Sequence, residues 1–111
     1  MKTLIVFLLS AMMALGADIS GKWMFEVTTD QGSGTPSFEF KQAGDKLAGT
    51  YKGAFGEGKL EGSVKGDAVQ FTVTTDNGKI VYTGTLDGAT KIKGKVDLAG
   101  IGTGTFTGTK Q

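Results

Sequence analysis

The sequence predicts an all-β protein, an eight-stranded antiparallel up-and-down barrel, and three observations carry that prediction. From Gly21 onward apolar and polar residues alternate at period two, which sends successive side chains to opposite faces of a strand. The alternation is broken at short intervals by Gly, Asp or Asn, the residues that turns require. A glycine-bounded motif also keeps returning, as "GTYKG" at 49–53, "GSVKG" at 62–66, "GTLDG" at 84–88 and "GTFTG" at 104–108. No segment after the N-terminal one carries a helical apolar stripe.

The first seventeen residues, "MKTLIVFLLSAMMALGA", are set apart from this pattern. One lysine, an apolar run from Leu4 to Leu15 and small residues at Ala14, Gly16 and Ala17 have the layout of a secretory signal. The run is shorter than the roughly 20 residues a membrane span needs. The expectation is a cleaved signal over 1–17, then a single domain over 18–111, secreted to the periplasm or the extracellular space.

Eight strands are expected within that domain: 22–29, 37–42, 46–52, 59–65, 68–75, 79–87, 91–97 and 103–110. "DNG" at 76–78 is a hairpin signal because Asn and Gly both tolerate positive φ. "AGD" at 43–45, "KGD" at 65–67 and "DGAT" at 87–90 are similarly short. Such connections join antiparallel neighbours, since parallel neighbours need long crossovers. A meander of eight strands leaves two bare edges, and pairing the last with the first removes them. The alternative is a two-sheet sandwich.

The inward phase follows from the large apolar residues. It selects Trp23, Phe25 and Val27; Phe38 and Phe40; Leu47, Gly49 and Tyr51; Leu60, Gly62 and Val64; Val69, Phe71 and Val73. The last three strands add Tyr82, Gly84 and Leu86; Ile92, Gly94 and Val96; Gly104, Phe106 and Gly108. Glycine therefore recurs mid-strand on the inner face. It lets strands coil enough to close a small barrel and leaves room for rings from across it. It also serves a second reading, a hollow interior lined by Tyr51, Phe71 and Tyr82, because eight strands enclose a space that one small ligand can share.

Several chemistries are absent. The chain has no His and no Cys, which removes the usual general base, the thiolate nucleophile, lipid-anchoring cysteine and the commonest zinc ligands. Asp30, Asp45, Asp67, Asp76 and Asp87 all fall at expected turns, where an Asp side chain bonds its own backbone. Removing Lys2 with the signal leaves eleven lysines against eleven acidic residues, and there is no arginine. A neutral surface gives no long-range attraction for nucleic acid or an anionic membrane. No catalytic residue, no metal site and no cofactor is expected. The threonines on the outward faces, such as Thr83, Thr85, Thr105 and Thr107, are good strand formers in water.

At "ISGKWMF" the chain resembles a family. Gly21-Lys22-Trp23 is similar to the Gly-x-Trp that opens the first strand of calycin barrels, the lipocalins and avidins. "KLAGTYKGAFGE" resembles the avidin stretch that follows a Gly-Thr-Tyr. With "FEFKQ", "GDKLAGT" and the terminal "GTFTGTK", the whole domain resembles small secreted bacterial β-barrel domains of undefined function, some attached to amidohydrolase-type enzymes. The resemblance implies a lipocalin-like barrel, structural roles for Gly21 and Trp23, and a Lys110 side chain laid across Trp23 as a cation–π contact. Of the avidin ligand contacts only Tyr51 has a counterpart, and one tryptophan does not make a biotin box.

The expected loops differ between the two ends of the barrel. Connections 30–36, 53–58, 76–78 and 98–102 share one rim, which displays Phe55 and Ile101 between glycines, either as a contact surface or folded back as a plug. Loops on a rigid scaffold are where binding concentrates. The sequence thus points to a non-catalytic binding module, for a small apolar ligand in the barrel or an extracellular protein partner at this rim. The competing expectation is a structural protein that self-associates through edges of an incompletely closed barrel.

Overall fold

The computed structural model describes residues 18–111, and the expected signal over 1–17 lies outside them. The strands are β1 Gly21–Thr29, β2 Gly32–Gly34, β3 Ser37–Ala43, β4 Lys46–Gly53, β5 Gly56–Lys65, β6 Ala68–Thr75, β7 Gly78–Leu86, β8 Lys91–Asp97 and β9 Thr103–Lys110. Each is antiparallel to its neighbours, in chain order, and β9 pairs back onto β1 from Gly104 opposite Thr29 to Lys110 opposite Trp23. The sheet is a closed up-and-down barrel.

Nine segments make eight barrel positions because β2 and β3 are one strand interrupted at Thr35-Pro36. Val27 faces Gly34 and Trp23 faces Phe38, so both pieces hold the same register against β1. Proline lacks the N–H that the ladder needs. Its carbonyl still accepts from Phe25 N–H at 3.0 Å.

This corrects the expected loops. Residues 32–34 are strand, and the 30–36 connection is a turn at Asp30-Gln31. The 53–58 connection likewise tightens to Ala54-Phe55, because β4 runs to Gly53 and β5 starts at Gly56. At that rim only 98–102 is a longer connection. The closed β9–β1 ladder also removes the long bare edges on which chain-to-chain pairing depended.

Every apolar residue assigned inward by the period-two phase is buried. Eight rings, Trp23, Phe25, Phe38, Phe40, Tyr51, Phe71, Tyr82 and Phe106, fill the lower and middle barrel in one connected cluster. Phe25 stacks on Phe106 with centroids 4.8 Å apart, and Phe71 stacks on Tyr82 at 4.9 Å. Buried rings are large apolar surfaces and contribute strongly to the hydrophobic stabilisation of so small a domain.

The inward glycines lie beside this cluster without room for any side chain. A Cβ on Gly49 would overlap the Glu39 carbonyl, one on Gly62 the Gln70 carbonyl, one on Gly94 the Thr83 carbonyl, and one on Gly104 the Thr28 carbonyl. A Cβ on Gly108 would strike the ring of Phe25. The glycines permit the close backbone approach that tight coiling imposes.

The end of the barrel near Trp23 is shut. Ile19 is fully buried there, and its carbonyl accepts from the indole Nε1–H at 2.8 Å. Gln42 holds the entering chain in place: its Oε1 accepts from Ile19 N–H and its own N–H donates to Ser20 Oγ, both at 2.9 Å. Gln42 was not singled out by sequence, since as a lone polar residue at a strand end it has no distinguishing pattern. Lys110 departs from the resemblance. It is opposite Trp23 in register, but its Cε lies over Gly21, 3.1 Å from where a Cβ there would be, and the ring partners of Trp23 are Phe25 and Phe40.

Two outcomes follow. Gly84→Val places a branched side chain where a Cβ already comes within 2.8 Å of the Lys93 carbonyl and 2.9 Å of Phe106 Cζ. It is expected to cost about 1–3 kcal/mol and to lower the melting temperature by several degrees, as read by thermal circular dichroism. Trp23 emission is expected to be blue-shifted and poorly quenched by acrylamide, and Gln42→Ala to shift it to the red while costing about 1 kcal/mol.

Candidate functional site

The opposite end of the barrel is open. Above the ring cluster lies a cavity of about 380 Å³ lined by Val27, Gly34, Pro36, Tyr51, Gly53, Phe55, Ile80, Tyr82 and Leu98, with Thr29, Gln31, Gly32, Ser33, Thr35 and Ala54 around the rim. Its size falls near the lower end of the range for small-molecule sites. A larger groove of about 710 Å³ crosses the outer face, but it runs among exposed charged side chains including Lys22, Glu39 and the Lys52–Glu57 pair. That groove is an open furrow on the outside of the barrel, with the exposed Met24 side chain among its charged borders.

Gly34 leaves its part of the cavity wall open. Gly34 is opposite inward Val27, so the two share a face. Unlike the glycines lower in the barrel, it has nothing within 4 Å of a built Cβ. A second glycine shapes the wall: a Cβ on Gly53 would come 2.6 Å from the Tyr51 hydroxyl, so its absence lets that phenol fold back against the strand end.

Tyr51 and Tyr82 form the floor. Both rings belong to the core, Tyr51 against Phe38 at 5.4 Å and Tyr82 on Phe71, while both residues also border the open space. The Phe55 N–H donates to Tyr51 Oη at 3.4 Å. Burial raises the Tyr51 pKa, and the Phe55 bond partly opposes the rise. Burial raises that of Tyr82 far more, with the neighbouring Tyr51 adding to it. Both phenols are neutral at physiological pH.

The rim is braced by side-chain amides. Asn77 Nδ2 donates to the Phe55 carbonyl and Gln31 Nε2 to the Ile101 carbonyl, both at 3.0 Å. The 98–102 loop turns through Ala99 and Gly100, at φ 51° and 83°. Leu98, rather than Ile101, is thereby directed inward and buried.

The five residues singled out as ligand contacts are thus divided. Tyr51, Phe55 and Tyr82 come together at the mouth. Phe71 is buried in the middle of the ring cluster and does not line the cavity, because Tyr82 stacks over it. Ile101 is 60% exposed and points away. Of the two readings for the rim, Phe55 packs partly against the core as a side wall and Ile101 plugs nothing. Gly34, Pro36, Gly53, Ile80 and Leu98 were missed as cavity residues. Extending the phase of Phe40 and Phe38 backwards would have reached Pro36 and Gly34. Among the described residues no cluster of acidic side chains is arranged to hold a metal ion.

No protein-family model and no curated protein matches the chain. Solved structures do match in fold. A redesigned beta barrel, b11L5F_LGL, superposes with a TM-score of 0.69 at 20% identity, covering 84% of this chain and 91% of that one. The redesigned beta barrel mFAP0, bound to DFHBI, gives 0.65 at 17% identity over 83% and 98% of the two chains. A third, mFAP1, also bound to DFHBI, gives 0.66 at 16% identity over 84% and 94%. At these identities the likeness establishes the class of protein, an eight-stranded antiparallel β-barrel.

The tyrosines set an alkaline limit on stability. Tyr82 has a raised folded-state pKa, whereas in the unfolded chain it ionises near the ordinary tyrosine value of about 10. Its contribution is complete below about pH 10 and is lost as pH rises toward the folded value, because only the unfolded state then releases the proton. Stability is expected to fall steadily above about pH 10, and phenolate absorbance of Tyr82 to appear together with unfolding rather than before it. Tyr82→Phe removes the Tyr82 part of that slope.

Proposed function

We propose that the chain is a secreted, non-catalytic binding module of lipocalin-like plan, which holds a small apolar ligand in the open mouth of the barrel. The cavity floored by Tyr51 and Tyr82 and walled by Phe55, Val27, Ile80 and Leu98 is the observation that carries this. It is apolar, concave, preformed and placed on a scaffold whose other end is shut, the arrangement small-ligand sites favour. Two designed barrels of the same fold, mFAP0 and mFAP1, are bound to DFHBI, which supports the capacity of this architecture for a small ligand. Secretion is inferred from the signal-like N-terminal segment, and the non-catalytic assignment from a composition without His or Cys.

Gly34→Trp tests the proposal. The indole enters the mouth from a backbone position with free space around it, so the fold is expected to survive. Wild-type protein is expected to bind a neutral environment-sensitive naphthalene dye with a fluorescence increase, and Gly34→Trp to lose at least tenfold in affinity with an unchanged far-ultraviolet spectrum. Equal binding by both proteins would place the dye elsewhere and remove the mouth as the site.

A further inference from the structure

Tyr82 is 2% exposed, borders the mouth, and its hydroxyl makes no hydrogen bond among the described residues. Buried hydroxyls are satisfied by protein or by water, so a phenol with no protein partner at the floor of an open cavity is a donor that a ligand can use. Tyr51 repeats the feature in part. Its oxygen accepts from the Phe55 N–H, which leaves its own hydroxyl proton without an acceptor among the described residues. Two neighbouring donors therefore face one apolar space.

The rest of the lining narrows what can satisfy them. None of the residues bordering the mouth is Lys, Asp or Glu. A charged ligand would lose its hydration there and meet no countercharge. Asn77 and Gln31, the amides closest in sequence to the rim, are already engaged with the Phe55 and Ile101 carbonyls. The polar recognition available at the floor is consequently phenolic, and phenols donate more strongly than they accept.

We propose that the mouth selects a neutral, flat apolar ligand carrying an acceptor oxygen, a ketone or aldehyde carbonyl, which enters oxygen-first and takes a hydrogen bond from Tyr82 Oη. This deepens the binding function proposed above and rests on it. A carbonyl oxygen has two lone pairs and can accept from Tyr51 as well. The apolar body of the ligand then lies between Phe55, Ile80 and Leu98. Tyr82 acts as a specificity residue, rewarding an oxygen that a plain hydrocarbon lacks, since such a hydrocarbon leaves the buried donor unpaired.

Two matched probes test this: 6-propionyl-2-(dimethylamino)naphthalene, which carries a ketone, and 2-(dimethylamino)naphthalene, which does not. Tyr82→Phe keeps the ring and deletes the hydroxyl. It is expected to weaken the ketone probe roughly three- to tenfold, the range of one neutral hydrogen bond, and to leave the other probe unchanged. The carbonyl stretch of the bound ketone is expected to move to higher frequency in Tyr82→Phe, whether or not the change in affinity is large. Tyr51→Phe, with the same two probes, serves if Tyr82→Phe proves unstable. If both probes bind, Gly34→Trp excludes both, and neither phenylalanine variant separates them or moves the stretch, the acceptor inference is overturned and the binding function stands. If wild-type protein binds neither probe at millimolar concentration, both fall.

Discussion

The closeness of backbone to backbone at the inward glycines is the constraint on which the rest of the molecule depends. At Gly49, Gly62, Gly94 and Gly104 the neighbouring strand's carbonyl occupies the space that any Cβ would need. A sheet coiled this tightly can close with eight strands, and once closed it has an interior narrow enough for eight rings to fill. Two further inward glycines lie directly against rings, Gly84 against Phe106 and Gly108 against Phe25. Closure and core are one solution to one problem, and the repeating Gly-polar-apolar-polar-Gly motif is its trace in the sequence.

That origin explains what the sequence revealed. Alternation reports which face of a strand is buried, and it placed Trp23, Phe25, Phe71 and Ile92 correctly because each belongs to a run with several large apolar residues in one phase or an apolar partner two or four residues away. It fails where a strand meets a turn. Gly32–Gly34 contains no apolar residue to register the period, and Pro36 reads as a breaker although its carbonyl still serves the ladder. The mouth is built from such positions, so the cavity was less legible than the core. Tyr51 and Tyr82 were found because they are large and inward; Gly34, whose contribution is empty space, carries no signal of its own. Ile101 misled for the converse reason: hydrophobicity in a loop does not say which way a residue faces, and the positive φ at Ala99 and Gly100 decides that.

The two ends of the barrel use the same interior differently. Below, the indole of Trp23 finds its acceptor in the Ile19 carbonyl, and Gln42 bonds the entering chain, so polar groups near the buried end are paired within the protein. Above, the Tyr82 hydroxyl has no such partner among the described residues. A polar group at the edge of a hydrophobic core stabilises when paired and destabilises when not. The lower end thus uses its polar groups to fix the chain, whereas the upper floor leaves one free to bond what enters the mouth.

The position of the chain ends gives the barrel a polarity. Ile19 is tucked beneath Trp23, and the Gln111 N–H donates to the Lys22 carbonyl at 2.8 Å, so the domain is entered and left through one pole. Any tether, surface or neighbouring domain joined to either terminus meets the barrel at its base, and the open pole faces away from the attachment. The domain can be mounted from either end of the chain without the mount crossing its mouth.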